Sequence, residues 1–166
     1  MPKHYKLNNG FTLVEMLLYV AIFGVMVVAF VTFSKSLVNN RMQSQRLFEV
    51  NDQGEAALKI ITQTLRNADQ VNSPTTGNTG SSLSVDTVSS STNPTVFSLV
   101  DGVLNIKEGS GDLVPLTNGQ VVVSDFVVTN LSRSGTTNAV KVSFKLTSVS
   151  NSNYFVTFQG SGGPRK

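Results

Sequence analysis

Gly10-Phe11-Thr12-Leu13-Val14-Glu15 opens an apolar run that continues to Phe33, and the reading of this stretch decides the fold. From Phe11 to Phe33 the only formal charge is Glu15. As a helix, this run reaches roughly 35 Å, enough to cross a hydrocarbon core of about 30 Å. Val25 to Val31 is apolar on every face. A helix lying on the surface of a soluble domain would carry only one apolar stripe. A buried core helix of this length and apolarity would need a much larger protein around it. A cleaved secretory signal would have a shorter apolar region ending at a small-x-small site. Instead, Ser34-Lys35-Ser36-Leu37-Val38 follows, with a charge and no such site.

Glu15 is the misfit. A carboxylate in the middle of a membrane span costs about 2.5–3.5 kcal/mol on insertion scales. No cation within the segment reaches it, the nearest toward the C-terminus being Lys35. If the Gly10–Phe11 bond were cut, a new α-amino group on Phe11 would lie one helical turn away. It could pair with Glu15 of the same chain or of a neighbour. Pairing would offset the burial cost only where chains pack together, which turns a misplaced charge into an assembly device.

The short basic leader, Gly10, Phe11, Glu15 and the apolar run stand in an order that resembles the N-terminal processing signature of type IV prepilins and of the pseudopilins of type II secretion. The resemblance covers about residues 1–40. It implies cleavage after Gly10 by a membrane-embedded prepilin peptidase, N-methylation of Phe11 by the same enzyme, and a role for Glu15 in neutralising a neighbour's N-terminus. It further implies partners: the peptidase, other pilins or pseudopilins in a helical filament, the cytoplasmic membrane, and indirectly an assembly platform protein and its ATPase. DNA or a secreted substrate would be a further partner if the filament serves uptake or secretion. Several major pilins carry a helix-kinking Pro near the end of the span. This chain has none between Pro2 and Pro74.

The leader, 1–10, contains Lys3, His4 and Lys6. Its lysines favour an N-terminus in the cytoplasm and a C-terminal part outside it. Lys35, Arg41 and Arg46 follow the span and weaken that bias. The chain of 166 residues has 13 Lys and Arg against 10 Asp and Glu; without Lys3 and Lys6 the balance is 11 against 10, or +1. A strongly basic nucleic-acid binder is not indicated. There is no Cys, so no disulfide closes the C-terminal part, and one membrane segment leaves room for one small domain.

Residues 34–71 continue as an amphipathic helix outside the membrane. Leu47, Val50, Leu58, Ile61, Leu65 and Ala68 recur at helical spacing, with Phe48 and Ile60 widening the stripe. Gly54 reads as a soft point in that helix. Arg41, Arg46 and Glu49 read as a solvated face or as inter-subunit ion pairs. Residues 72–95 form a Ser/Thr-rich connecting loop with a short strand around Leu83 to Val88. Residues 96–159 form antiparallel β-structure. Phe97 to Ile106 is a hairpin about an Asp101-Gly102 type I′ turn, Asn118-Gly119 is a second turn, and Val121 to Leu131 is a strand with a bulge at Ser124-Asp125. Ser134 to Asn138 turns the chain. Val140, Val142, Phe144 and Leu146 alternate with polar residues, and Tyr154, Val156 and Phe158 make the last strand. Residues 160–166 read as a flexible tail.

The expected fold class is α+β: a long N-terminal helix whose outer half packs on a small antiparallel sheet, an arrangement similar to that of pilins. No catalytic residue, metal site or cofactor is indicated. The single His lies in the leader, and neither Gly-Ser-Gly stretch matches a phosphate loop. Lys141 and Lys145 on one strand face read as solubility or edge protection or, in the sharper alternative, as a polyanion contact. Asn130-Leu131-Ser132 matches a glycosylation pattern. The functional expectation is a structural subunit, a minor pilin or minor pseudopilin, held first in the inner membrane and then in a filament. The alternative is a signal-anchored extracytoplasmic binding module.

Overall fold

The computed structural model describes residues 10–133 and 139–164, with the side chains of Asn40, Gln43, Arg46 and Asn151 excepted. The leader lysines, His4, the turn at 134–138 and the last two residues of the expected tail lie outside the described residues, as does the side chain of Arg46. The chain divides into two units, one up to Gln43 and one from Ser44. Helix α1, Leu13–Asn67, supplies nearly all the described residues of the first unit and the opening element of the second.

In the first unit, Leu13–Asn39 is long and apolar enough to cross a membrane by length and composition. Its apolar side chains have no cover among the described residues of that unit: Phe30 is 71% and Val25 is 70% exposed. An apolar surface this continuous is stable only against lipid or other helices. The hydroxyl of Thr32 donates to the carbonyls of Val28 and Ala29, at 3.0 and 2.9 Å, so this polar group is satisfied inside the helix.

The second unit holds the core. From α1 come Val50, Ala57, Ile61 and Leu65, all buried, on the face expected from their spacing. Leu47, Phe48 and Ile60 stay on the exposed side. The helix ends at Asn67 rather than running to residue 71. Ala68 opens strand β1 (Ala68–Ser73), which pairs antiparallel with β3 (Ser82–Thr87). Ala68 is buried whether read as the last helical or the first extended position, so periodicity alone could not separate the two. The side-chain amides of Gln70 and Asn72 both donate to the Asp86 carboxylate, at 2.7 and 2.5 Å, and hold β1 to β3.

The stretch 72–95, expected as a connecting loop with one short strand around Leu83 to Val88, carries that strand and more structure besides. It contains β2 (Thr79–Gly80), β3 and a single 3-10 turn at Ser90–Thr92. Leu83 and Val85 point inward and are fully buried, while Val88 lies beyond the strand and is exposed. Strands β4 (Thr95–Val100) and β5 (Val103–Glu108) form the expected hairpin, with Val100 opposite Val103. Asp101 and Gly102 both have positive φ, 50° and 76°, as a type I′ turn requires. β6 (Leu113–Pro115) completes a five-stranded sheet in the order β1-β3-β4-β5-β6.

A second sheet, in the order β2-β7-β8-β9, is built from β7 (Val121–Asn130), β8 (Val140–Ser148) and β9 (Asn151–Gly162). The expected antiparallel β-region is thus two sheets rather than one, sharing one core with α1. β7 shows how. Its buried residues are Val121 and Val123 before the bulge, then Phe126, Val128 and Asn130 after it. The register shift between Ser124 and Val127, with Asp125 at φ 54°, moves the inward set from odd to even positions. The amide of Val123 donates to the carbonyl of Gly102 at 2.8 Å, tying the β4–β5 turn to the second sheet.

Residues 160–162, expected in a flexible tail, belong to β9 and pair with Val140–Val142. Gly160 and Gly162 are what permit it. A Cβ on Gly160 would meet Leu58 at 2.8 Å, and one on Gly162 would meet Leu65 at 3.2 Å, so the strand runs directly under α1. Gly54 is not a soft point either. A Cβ there would overlap the ring of Phe158, which is stacked on Phe144 with centroids 5.6 Å apart. Edge protection by Lys141 and Lys145 is also ruled out, because β8 lies between β7 and β9. Lys145 Nζ instead sits 4.2 Å from the centroid of the Phe155 ring.

Candidate functional site

Gly10 to Thr12 precede the helix, and all three are exposed. Gly10 has no fold reason to be glycine: its φ is not in the left-handed region and a Cβ would meet nothing within 4 Å. Thr12 starts the helix. Its carbonyl accepts from the Met16 amide at 3.2 Å, and its hydroxyl oxygen accepts from the Glu15 amide at 3.3 Å. That makes Thr12 the N-cap residue and fixes where the helical backbone begins.

The Glu15 side chain is half-buried in a stretch that is otherwise exposed from Gly10 to Phe33. Its cover is local. The hydroxyl of Tyr19 donates to Glu15 Oε1 at 3.2 Å, one turn further along. The Tyr19 ring in turn meets the Phe11 ring edge-on, with centroids 6.3 Å apart and planes at 75°. Phe11, Glu15 and Tyr19 thus form one cluster at the head of the helix. The sequence reading sought a cation for Glu15; among the described residues its side-chain partner is a neutral donor, Tyr19. The signal was in the sequence, a hydroxyl four residues from a carboxylate on one helix face.

Of the other candidate positions, Glu49 and Asn130 take part in structure. Glu49, offered for inter-subunit ion pairs, accepts from Asn118 Nδ2 at 2.8 Å, and Gln53 Oε1 accepts from the Asn118 amide at 3.3 Å. This latches the Asn118-Gly119 turn to the helix. Arg41 is exposed. Asn130 is buried rather than available to a sugar: its Nδ2 donates to the carbonyl of Pro74 at 2.9 Å and its Oδ1 accepts from the Ser132 amide at 3.1 Å. Among the described residues no group of three or more His, Cys, Asp or Glu is placed to hold a metal ion.

The family described as the prokaryotic N-terminal methylation motif matches residues 5–31. This is the signature of type IV prepilins and pseudopilins, and with it go prepilin peptidase cleavage, methylation and a membrane-capable helix. No curated protein and no solved structure matches the chain.

Proposed function

We propose that this chain is a structural subunit of a type IV pilus-like filament or a type II secretion pseudopilus, a minor pilin or minor pseudopilin. Prepilin peptidase cuts the bond between Gly10 and Phe11 and methylates the new amine on Phe11. The helix then leaves the cytoplasmic membrane, where the N-terminus was cytoplasmic and the β-structure external, and enters the filament. The observation that carries this reading is the methylation motif lying at the head of a helix whose apolar surface no described residue of its own unit covers. Two details support it. The Gly10–Phe11 bond lies in exposed, non-helical chain, as a peptidase needs, and the fold itself makes no demand for glycine at position 10.

In the filament, Glu15 accepts the α-ammonium of a neighbouring chain's Phe11. The ion pair forms only where two helices meet, so it favours docked subunits over misaligned ones. The absence of a Cys staple and the Ser/Thr-rich region after the helix support the minor-subunit assignment.

The experiment is an intact mass and N-terminal peptide of the protein extracted from its native membrane, together with Glu15→Leu. The expected chain begins at N-methyl-Phe11, and the variant is inserted but excluded from filaments. Retention of Met1 in cells with active prepilin peptidase would overturn the proposal and leave a signal-anchored binding module. A chain making up the bulk of purified filaments would remove the minor-subunit assignment alone.

A further inference from the structure

Tyr19 lies well inside the apolar run, six residues beyond the helix start at Leu13. That is roughly 9 Å along the axis. Tyrosines near a membrane surface ordinarily send the hydroxyl outward to the headgroups. Here it is turned back along the helix onto Glu15 Oε1 at 3.2 Å. The Phe11 ring, edge-on to Tyr19, restricts the ring that carries this hydroxyl. Hydrogen bonds to a charged acceptor are among the stronger ones, and within lipid no water competes for the donor.

We propose that Tyr19 is a positioning residue for assembly: its hydroxyl holds the Glu15 carboxylate at the head of the helix, ready to accept the α-ammonium of a neighbouring chain. The inference rests on the filament reading above. Before docking, the hydrogen bond offsets part of the cost of carrying a carboxylate in the bilayer. During docking, it narrows the rotamers open to Glu15. It engages Oε1, and among the described residues Glu15 Oε2 is left for the incoming amine. Because Phe11 packs against the same tyrosine, release of the leader and presentation of Glu15 occur within one cluster.

Two substitutions separate the hydroxyl from the ring. Tyr19→Phe keeps the ring and its edge contact with Phe11 and removes the donor. Tyr19→Gln removes the ring and keeps an N–H donor that reaches a carboxylate four residues away on a helix. Each is co-expressed with the wild-type chain, and the ratio of the two in purified filaments is divided by their ratio in the membrane. Intact mass reports processing. The expected result is normal N-methyl-Phe11 in all three chains, with Tyr19→Phe incorporated about tenfold less well, the loss expected for one hydrogen bond to a charged group. Tyr19→Gln is expected to incorporate better than Tyr19→Phe. If Tyr19 were only an apolar or interfacial side chain, the order would reverse. Equal incorporation of Tyr19→Phe and wild type, or Phe above Gln, overturns this inference while leaving the filament reading intact. A wild-type chain that is unprocessed or never enters filaments overturns the filament reading and this inference with it.

Discussion

Gly54→Ala is expected to destabilise the β-bearing unit, although helix propensity alone predicts the opposite. In an exposed helix interior, replacing Gly by Ala gains about 1 kcal/mol. At position 54 the new methyl group would lie within the Phe158 ring. That ring is 9% exposed and backed by Phe144, at 1% exposed, in a stacked pair with centroids 5.6 Å apart. It therefore has little room to retreat inward, and α1 or β9 must shift instead. Overpacking a tight core costs about 1–3 kcal/mol. An aromatic ring held from behind belongs near the upper end, so the net change should be a loss of about 2 kcal/mol once the propensity gain is subtracted. For a unit of this size, the melting temperature should fall by roughly 6–10 °C. The assay is thermal unfolding of a soluble fragment beginning at Ser44, which carries every residue of the core cluster. Phe158→Leu makes room for the methyl group. The pair Gly54→Ala with Phe158→Leu should therefore lose less than the sum of the two single changes. A Gly54→Ala fragment as stable as wild type, with additive behaviour in the pair, would refute the reasoning and return Gly54 to the status of a weak point in the helix.

Asn118→Ala should lower stability by about 1 kcal/mol, because it removes the amide that donates to Glu49 Oε1; Glu49→Ala should then add little, a coupling that a double-mutant cycle in urea reads directly. Asp125→Val places a β-branched residue at φ 54° in the β7 bulge and should cost about 1–3 kcal/mol by the same measurement, whereas Asp125→Asn should be close to neutral. Truncation after Gln159 removes the pairing of Gly160 to Gly162 with Val140 to Val142 and should cost roughly 2–4 kcal/mol in thermal unfolding; a flexible tail would cost nothing.

Which elements can be read from the sequence depends on whether a local signal and the long-range outcome agree. The β4–β5 hairpin was readable because Asp101-Gly102 specifies its own turn, and β8 because strict alternation leaves one inward face. The bulge in β7 shows in sequence only as the polar pair Ser124-Asp125 between two apolar triplets; the change of inward parity appears in burial alone. β1 was missed because Ala68, Asp69, Gln70 and Asn72 are poor strand formers, held extended by pairing to β3 and by amide bonds to Asp86. Gly54 and Gly160 escape a reading of the sequence for one reason. Glycine next to solvent and glycine under a neighbouring element look identical in sequence, and only the position of Phe158 or Leu58 tells them apart. The division into two sheets follows from long-range pairing such as that of Thr79 and Gly80 with Thr129 and Val128, which no local pattern encodes.

At the head of the helix, the carboxylate was conspicuous and its neighbour was not, because a hydropathy reading counts Tyr19 as bulk and ignores its hydroxyl. The spacing Thr12-x-x-Glu15 admits a plainer role for Glu15, as the third helical residue of a capping box. Magnitudes decide against that role as a sufficient account. Helix capping contributes about 1 kcal/mol, and a glutamine at this position serves a capping box as well as a glutamate does. At the centre of a span a charge costs about 2.5–3.5 kcal/mol, an upper figure for Glu15 at the third helical position. The N-cap hydrogen bond observed is in any case to the Glu15 backbone amide, which any residue supplies, while the carboxylate is turned to Tyr19. One hydrogen bond from a neutral phenol does not cover the whole cost of the charge. What remains calls for a cation, and under the proposed processing an amine on Phe11 would appear at the same end of the same helix.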